Sequence, residues 1–315
     1  MEALRDVVRV EEPGSASMSG AGRLASLEPK RVSVPGGSVM VLVSRGTNPD
    51  ARPVVFVPGW GKRAEGFADT FAALDPGVTL YYFESREKTS SDVAADADFS
   101  MQTHAYDLAR CVDALGLRAR SWIGAGSCFG AAVLMEALAL ATIEPEVAVC
   151  YDPMPRLWVP QWIIRSIVPW IPIGFVAAIR PAVRNLLLHG MKQPTQRALS
   201  RAVIDDAVLW KWRLASVQAN DWSAFDTGPR IAHPVHVVNG TTDRFHDASV
   251  YPRIAASVPD SIFLHVPVEE SQRNRLIGRV ICAYALERRI DTVPESLASY
   301  VRCTRARSEA VGGTP

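Results

Sequence analysis

The run Ile123-Gly124-Ala125-Gly126-Ser127-Cys128-Phe129-Gly130-Ala131-Ala132 constrains this chain more than any other stretch. A short apolar segment passes through glycines directly into a small, apolar, helix-forming one. A sharp strand-to-helix turn of this kind needs small residues two positions before and two after the turning residue, so that the strand and helix backbones can approach closely. Gly126-x-Cys128-x-Gly130 has that spacing. Ser127 is the competing centre, but Ala125 and Phe129 flank it, and a Phe there crowds the turn. Cys128 is the expected apex, with its thiol at the N-terminus of the following helix, where the dipole favours the reactive thiolate. The alternative is a buried structural cysteine.

The surrounding pattern sets the fold class. Arg31–Val34 and Ser38–Val43 flank Pro35-Gly36-Gly37 and read as a hairpin. Pro53–Val57 and Val78–Phe83 are short, continuously apolar runs of the kind buried on both faces of a sheet, and Ala64 to Leu74 between them suits a short crossover helix. Ala105, Leu108, Ala109, Val112 and Leu115 fall at helical spacing and Gly116 stops that helix. Trp122–Ala125, Val147–Tyr151, Val235–Val238 and Ser261–Val266 are further strands, and Ala131–Ala141 is a further helix. Strands alternating with helices predict an α/β fold, a mostly parallel sheet flanked by helices.

The alternation breaks at Pro153 and resumes at Val235, a gap too long for a loop. We read residues 153–231 as an inserted helical cap on a core of 25–152 and 232–300, with a flexible N-terminal arm over 1–24 and a flexible tail over 301–315. Six of the eight tryptophans (Trp158, Trp162, Trp170, Trp210, Trp212, Trp222) lie in the cap. The apolar run Trp162–Ile179 is interrupted by Arg165, Pro169 and Pro172, which argues against a membrane span and for a lid over the protein's own pocket. Contact with a bilayer surface ranks last among the readings of this run.

Lys and Arg number 34 against 33 Asp and Glu, a formal charge of +1 over 315 residues, so no basic field exists to hold nucleic acid. The five widely spaced cysteines, without a C-x-x-C pair, indicate neither a disulfide framework nor a zinc site. They fit a reducing, cytoplasmic compartment. No apolar leader occupies the N-terminus, and no cofactor or metal is expected.

With these residues in view, the chain resembles the α/β-hydrolase superfamily from about Arg31 to Leu286. Pro53-Val-Val-Phe-Val-Pro-Gly-Trp-Gly61 is similar to the family's third strand and oxyanion loop, with Pro58 where His is commoner; the resemblance assigns oxyanion-binding N–H groups to Trp60 and to Phe129, next to the nucleophile. Phe83-Glu-Ser-Arg-Glu-Lys-Thr-Ser-Ser91 resembles the loop after the fourth strand without its usual glycines. Val235-His-Val-Val-Asn-Gly-Thr-Thr-Asp243 resembles the strand end that carries the triad acid, which points to Asp243, with Asp152 at the end of the preceding strand in reserve.

The departure is the histidine. After the last strand the family places a His, but this chain has Pro267-Val-Glu-Glu-Ser-Gln-Arg273, with Ser271 at the expected position and no histidine beyond His265. His246, three residues after Asp243, is the best-placed substitute. His265 reads as a core residue, His104 as a helix-start residue, and His189, His233 and His236 have no special claim. Glu269 and Glu270 read as solvated carboxylates, with an unconventional base as the lesser alternative. A thiol partly escapes the need for a base in acylation, whereas deacylation by water does not. The expected function is therefore acyl-ester or thioester processing on an apolar substrate, free or carrier-bound, by hydrolysis, acyl transfer or cyclisation. The competing reading is a lyase, cyclase or apolar-ligand binding protein of the same fold without covalent catalysis.

Overall fold

The computed structural model describes residues 20–156, 161–189, 194–240, 247–269, 272–287, 289–290 and 293–305. Helix α1 (Gly20–Ala25) leads into the hairpin β1 (Glu28–Val34) and β2 (Gly37–Ser44), then β3 (Val54–Val57), a 3-10 turn continuing into α2 (Ala68–Ala72), and β4 (Leu80–Glu84). The two-residue β5 (Asp92–Val93), α3 (Met101–Ala114), β6 (Ile123–Ser127), α4 (Phe129–Ala139) and β7 (Val147–Tyr151) follow. Helices α5 (Gln161–Ser166), α6 (Ile173–Leu188), α7 (Pro194–Asp205), α8 (Leu209–Gln218) and α9 (Ala224–Thr227) form the insertion. The chain closes with β8 (Val235–Asn239), α10 (Tyr251–Ser257), β9 (Ser261–His265), α11 (Arg273–Leu286), the short pair β10 (Arg289–Ile290) and β11 (Val293–Pro294), and β12 (Val301–Arg305).

One ten-stranded sheet carries the fold, in the order β1-β2-β4-β3-β6-β7-β8-β9-β12, with β5 paired to β2. From β4 to β9 every neighbouring pair is parallel. Every residue of β3, β6, β7 and β8 is buried, because helices cover both faces and an alternating polar pattern would strand polar groups in the core. β2, nearer the edge, alternates instead. Two large apolar cores follow, one beneath α3, α4 and α10 and the other beneath α2 and α11, and a small third joins Val93, Ala97 and Phe99 to Ala215 of α8.

At Gly20–Ala25 and Val301–Arg305 the described residues differ from the expected arm and tail. Arg23 is buried and its guanidinium donates to the carbonyls of Leu74 (3.0 Å), Asp75 (2.9 Å) and Val78 (2.6 Å) and to Ser44 Oγ (2.9 Å), which fixes α1 from Gly20 onward. Val301–Arg305, expected in the tail, pairs antiparallel with β9 and covers an edge that would otherwise expose its unpaired backbone.

The insertion between β7 and β8 is helical, and its ends meet where Arg156 bridges Ser223 and Ala224 N–H donates to Pro155 O (2.9 Å). Its aromatics divide into two sets. Trp222 is buried and donates to Glu136 Oε2 on α4 (3.1 Å), Trp212 meets Trp60 edge-on (ring centroids 5.8 Å), and Trp210 meets Phe99 (5.9 Å). Trp162 and Trp170, expected to line a lid over a pocket, point outward instead, 64% and 82% exposed, because α8 already occupies the space against the core. Trp158 lies outside the described residues. Among the described residues no single helix is long and apolar enough to cross a membrane; the segments Trp162–Trp170 and Ile173–Leu188 have the length and composition together but are bent by 118° at their junction.

Candidate active site

The parallel strands deliver their C-terminal ends to one edge of the sheet, the usual place for a site in open α/β folds. At its centre is Cys128, between β6 and α4, with φ 51° and ψ −115°. An L-residue rarely adopts this conformation, and it persists only where surrounding structure enforces it. Three contacts do so here: Cys128 N–H donates to Tyr151 O (3.0 Å), and Cys128 O accepts from Ala132 N–H (3.2 Å) and Met154 N–H (3.2 Å).

The flanking glycines are sterically required. A Cβ on Gly126 would lie 2.8 Å from Ala131 backbone atoms, and one on Gly130 would lie 2.0 Å from Val57 O and 2.5 Å from Pro58 O. The spacing read from the sequence is thus a packing requirement of the turn. Cys128 itself is half-buried.

The turn after β3 lies alongside. A Cβ on Gly59 would sit 3.5 Å from Cys128 Cβ and 3.7 Å from Lys62 Cγ, so these two side chains converge over the bare Gly59 backbone. Trp60 packs edge-on against Phe129 (4.9 Å). The loop after β4 braces this turn from below: buried Lys88 Nζ donates to Lys62 O (2.7 Å) and Gly59 O (3.4 Å).

That loop is a buried ionic layer. Arg86 clamps Asp107 with two bonds of 2.7 Å, and Lys211 of α8 donates to Ser91 O (2.6 Å), Ser91 Oγ (2.9 Å) and Lys88 O (3.0 Å). Glu87 Oε2 lies 3.5 Å from His104 Nε2, and both side chains are fully buried. Burial pushes the Glu87 carboxyl up, but His104 and the Lys88 ammonium outweigh it and hold the group down at about 2. His104 stands in the first turn of α3 as expected but does not cap it: Ser100 does, and the His104 ring turns inward, with Nδ1 2.9 Å from Ser100 O.

At the ends of β7, β8 and β9 lies a second polar group. Asp152 is fully buried at φ 42°; its Oδ1 accepts from Asn239 Nδ2 (2.7 Å) and its Oδ2 from Arg273 Nε (3.0 Å). His265 Nδ1 lies 3.2 Å from Asn239 Oδ1, so this histidine stands at the sheet edge rather than in the core. Arg273 stacks on Tyr151 (5.3 Å), and its Nη2 is buried without a hydrogen-bond partner among the described residues.

Two cations, Lys62 and Arg273, thus interact with the thiol, and Lys88 stands behind Lys62. Burial pushes the Lys62 ammonium down and the charges of Arg273 and Lys88 push it further, while attraction to Cys128 partly offsets this. For Arg273 burial is outweighed by Asp152, and Cys128 adds to the attraction. Sequence reasoning missed Lys62, Lys88 and Arg273. Lys62 follows directly on Trp60-Gly61, and Arg273 stands two residues after the position expected to hold histidine, but no local pattern says which way either side chain turns.

Of the predicted site residues, the structure brings Cys128, Phe129 and Trp60 together. Asp243, His246, Glu270 and Ser271 lie outside the described residues, while Asp152, the reserve acid, is in the site with Arg273. Two surface cavities, of about 690 and 310 Å3, open near Asp107 and Arg110 and near Lys88 and Trp212 respectively; Cys128 lines neither. Among the described residues no group of three His, Cys, Asp or Glu side chains could hold a metal ion.

No protein-family model matches the sequence, and no curated protein matches it. Solved structures do match. The chain is similar to an esterase from Thermogutta terrifontis (17% identity, 81% of this chain and 95% of that one, TM-score 0.63) and to a hydrolase from Pseudomonas aeruginosa (18%, 81% and 97%, 0.63). It is also similar to an enol-lactonase from Burkholderia xenovorans (15%, 77% and 93%, 0.61). The mostly parallel sheet, its strand order and these likenesses establish the α/β-hydrolase fold.

Proposed function

We propose that the protein is an acyl-processing enzyme of ester or thioester substrates with Cys128 as nucleophile. The observation that carries this reading is the conformation of Cys128, held at φ 51° and ψ −115° between two glycines that admit no side chain. Strain of this kind concentrates at functional sites, and a structural cysteine has no need of it.

In acylation the Cys128 thiolate attacks the substrate carbonyl carbon, forming a C–S bond. The carbonyl electron pair moves to an oxyanion received by the Trp60 and Phe129 N–H groups. Its collapse breaks the bond to the leaving alkoxide or thiolate, which takes up a proton. The Lys62 and Arg273 charges favour the thiolate over the neutral thiol by Coulomb attraction, and Lys62 is placed to supply and later recover that proton. Asp152 holds Arg273 in position. In deacylation an alcohol, thiol or water attacks the thioester carbonyl, loses its proton to the base, and regenerates the thiolate.

Two assignments of that base are open to test. Asp243 and His246 would complete a Cys-His-Asp triad, and Lys62 with the Arg273–Asp152 pair would act without one. The aromatic-rich insertion beside Trp60 favours an apolar acyl group, and a reducing, cytoplasmic setting suits the five cysteines, none in a disulfide.

The test is intact-mass detection of an acyl adduct after incubation with acyl esters and thioesters of graded length. The adduct should form on the parent chain and vanish in Cys128→Ala. In His246→Ala the adduct should still form and turn over under the Lys62 assignment, whereas under the triad it should accumulate without turnover. Turnover or ligand binding fully retained in Cys128→Ala, with no adduct on the parent chain, would establish instead the noncovalent lyase, cyclase or binding reading.

A further inference from the structure

We propose that the outer face of α5 and α6 docks onto an anionic lipid bilayer surface. α8 lies between this layer and the core, through the contacts of Trp212 and Trp210 with Trp60 and Phe99, and among the described residues the aromatics of α5 and α6 are left uncovered. Trp162 (64% exposed), Trp170 (82%), Phe175 (56%) and Leu186 (70%) stand in solvent, together with Ile167 and Val183. Single exposed apolar side chains are ordinary, but six within two consecutive helical segments are more than scattered exposure and call for an occupant.

On α6 the pattern is that of an interfacial helix. Phe175, Val183 and Leu186 differ by eight and three positions, which places them within about 80° of one another around the helix. Arg180 and Arg184 lie on the opposite side, where they are held to α7 and its end: Arg180 donates to Asp205 O (2.7 Å) and Arg184 to the Asp205 carboxylate (2.7 and 3.0 Å). The apolar stripe is therefore fixed outward by packing. The 118° bend between Trp170 and Ile173 and the proline within α6 suit two short segments lying in the plane of an interface rather than a rod crossing it.

Charge selects the partner. From Pro153 to Ile204 the sequence has no acidic residue and seven basic ones, in a chain whose total formal charge is only +1. Arg156 and Arg197 are exposed, Arg165 is exposed but paired with Asp221, and the insertion 153–231 as a whole keeps ten basic residues against four acidic ones. A second copy of the same face would meet like charge, whereas an anionic headgroup layer complements it and receives the Trp and Phe rings at the depth they favour.

The proposal stands apart from the reading of Cys128 and is tested without it. The full chain is floated with phosphatidylcholine vesicles and with vesicles containing about one third phosphatidylglycerol, at 0.05 and 0.5 M salt, beside Trp162→Ser and Trp170→Ser. These side chains are exposed, so the variants should keep the parent's unfolding midpoint. Expected are flotation with the anionic vesicles only, at least tenfold weaker at high salt, and at least about tenfold weaker in each variant. No flotation, flotation unchanged in both variants, or equal flotation on neutral vesicles would overturn it. So would concentration-dependent self-association that the variants abolish without any vesicle binding, an outcome that gives the face to a second copy of the chain.

Discussion

The strain at Cys128 has a measurable energetic signature, free of any assumption about substrate. Cys128→Ala and Cys128→Gly both remove the sulfur, so the loss of its packing cancels between them. At an unstrained position Gly is less stable than Ala by about 0.7 kcal/mol, because its unfolded chain has more conformational freedom. Residue 128 is held at φ 51° and ψ −115°. A residue with a Cβ costs about 1–3 kcal/mol in such a region, and Gly avoids most of that cost. Taking about 2 kcal/mol for the strain, Cys128→Gly should be more stable than Cys128→Ala by roughly 1 kcal/mol. With a urea m-value of about 3 kcal/mol/M, the unfolding midpoint of the Gly variant should lie about 0.3–0.4 M higher at unchanged m. If Cys128→Gly unfolds at lower urea than Cys128→Ala, the turn stores no strain and the argument for its functional origin fails.

Two further predictions follow from the same edge of the sheet. In Gly130→Ala the new methyl would meet Val57 O and Pro58 O, backbone atoms that no rotamer change can move. It should cost about 2–3 kcal/mol and slow acylation about 100-fold by displacing the Trp60 turn, whereas Gly66→Ala, with open space around it, should stay within about 0.5 kcal/mol of the parent; equal urea midpoints and rates for the two would refute this. Glu87 is held near 2 in the folded chain against an ordinary 4.5, so its contribution is complete above about pH 4.5 and is lost as the pH falls toward 2, a total of about 3 kcal/mol. The urea midpoint of Glu87→Gln should therefore fall less steeply between pH 5 and pH 2.5 than the parent's, and parallel curves would show that the buried carboxylate is not the acid-sensitive group.

Much of the scaffold was legible because its signals are local. Continuous apolar runs such as Val54–Val57 and Val147–Tyr151 announce strands buried on both faces, and Gly126 and Gly130 announce a close crossing of strand and helix two residues either side of Cys128. His104 was less legible. Its helical position is periodic with the apolar face of α3, but the carboxylate it faces belongs to the loop after β4. The tryptophans of the insertion differ from expectation for a related reason: Trp170 and Trp212 both sit in short helical segments beside apolar residues, and only packing order decides that Trp212 covers Trp60 while Trp170 faces solvent.

The sequence by itself determined the fold class, the turn at Cys128 and the loop that carries Trp60, since each is set by backbone sterics or short-range hydrophobic pattern. The tertiary structure alone decided the electrostatics of the site. Lys62, Lys88, Cys128, Asp152 and Arg273 are tens of residues apart, and they meet because parallel strands end on one edge of the sheet. Coulomb interactions depend on distance and on burial, and neither is encoded in spacing along the chain.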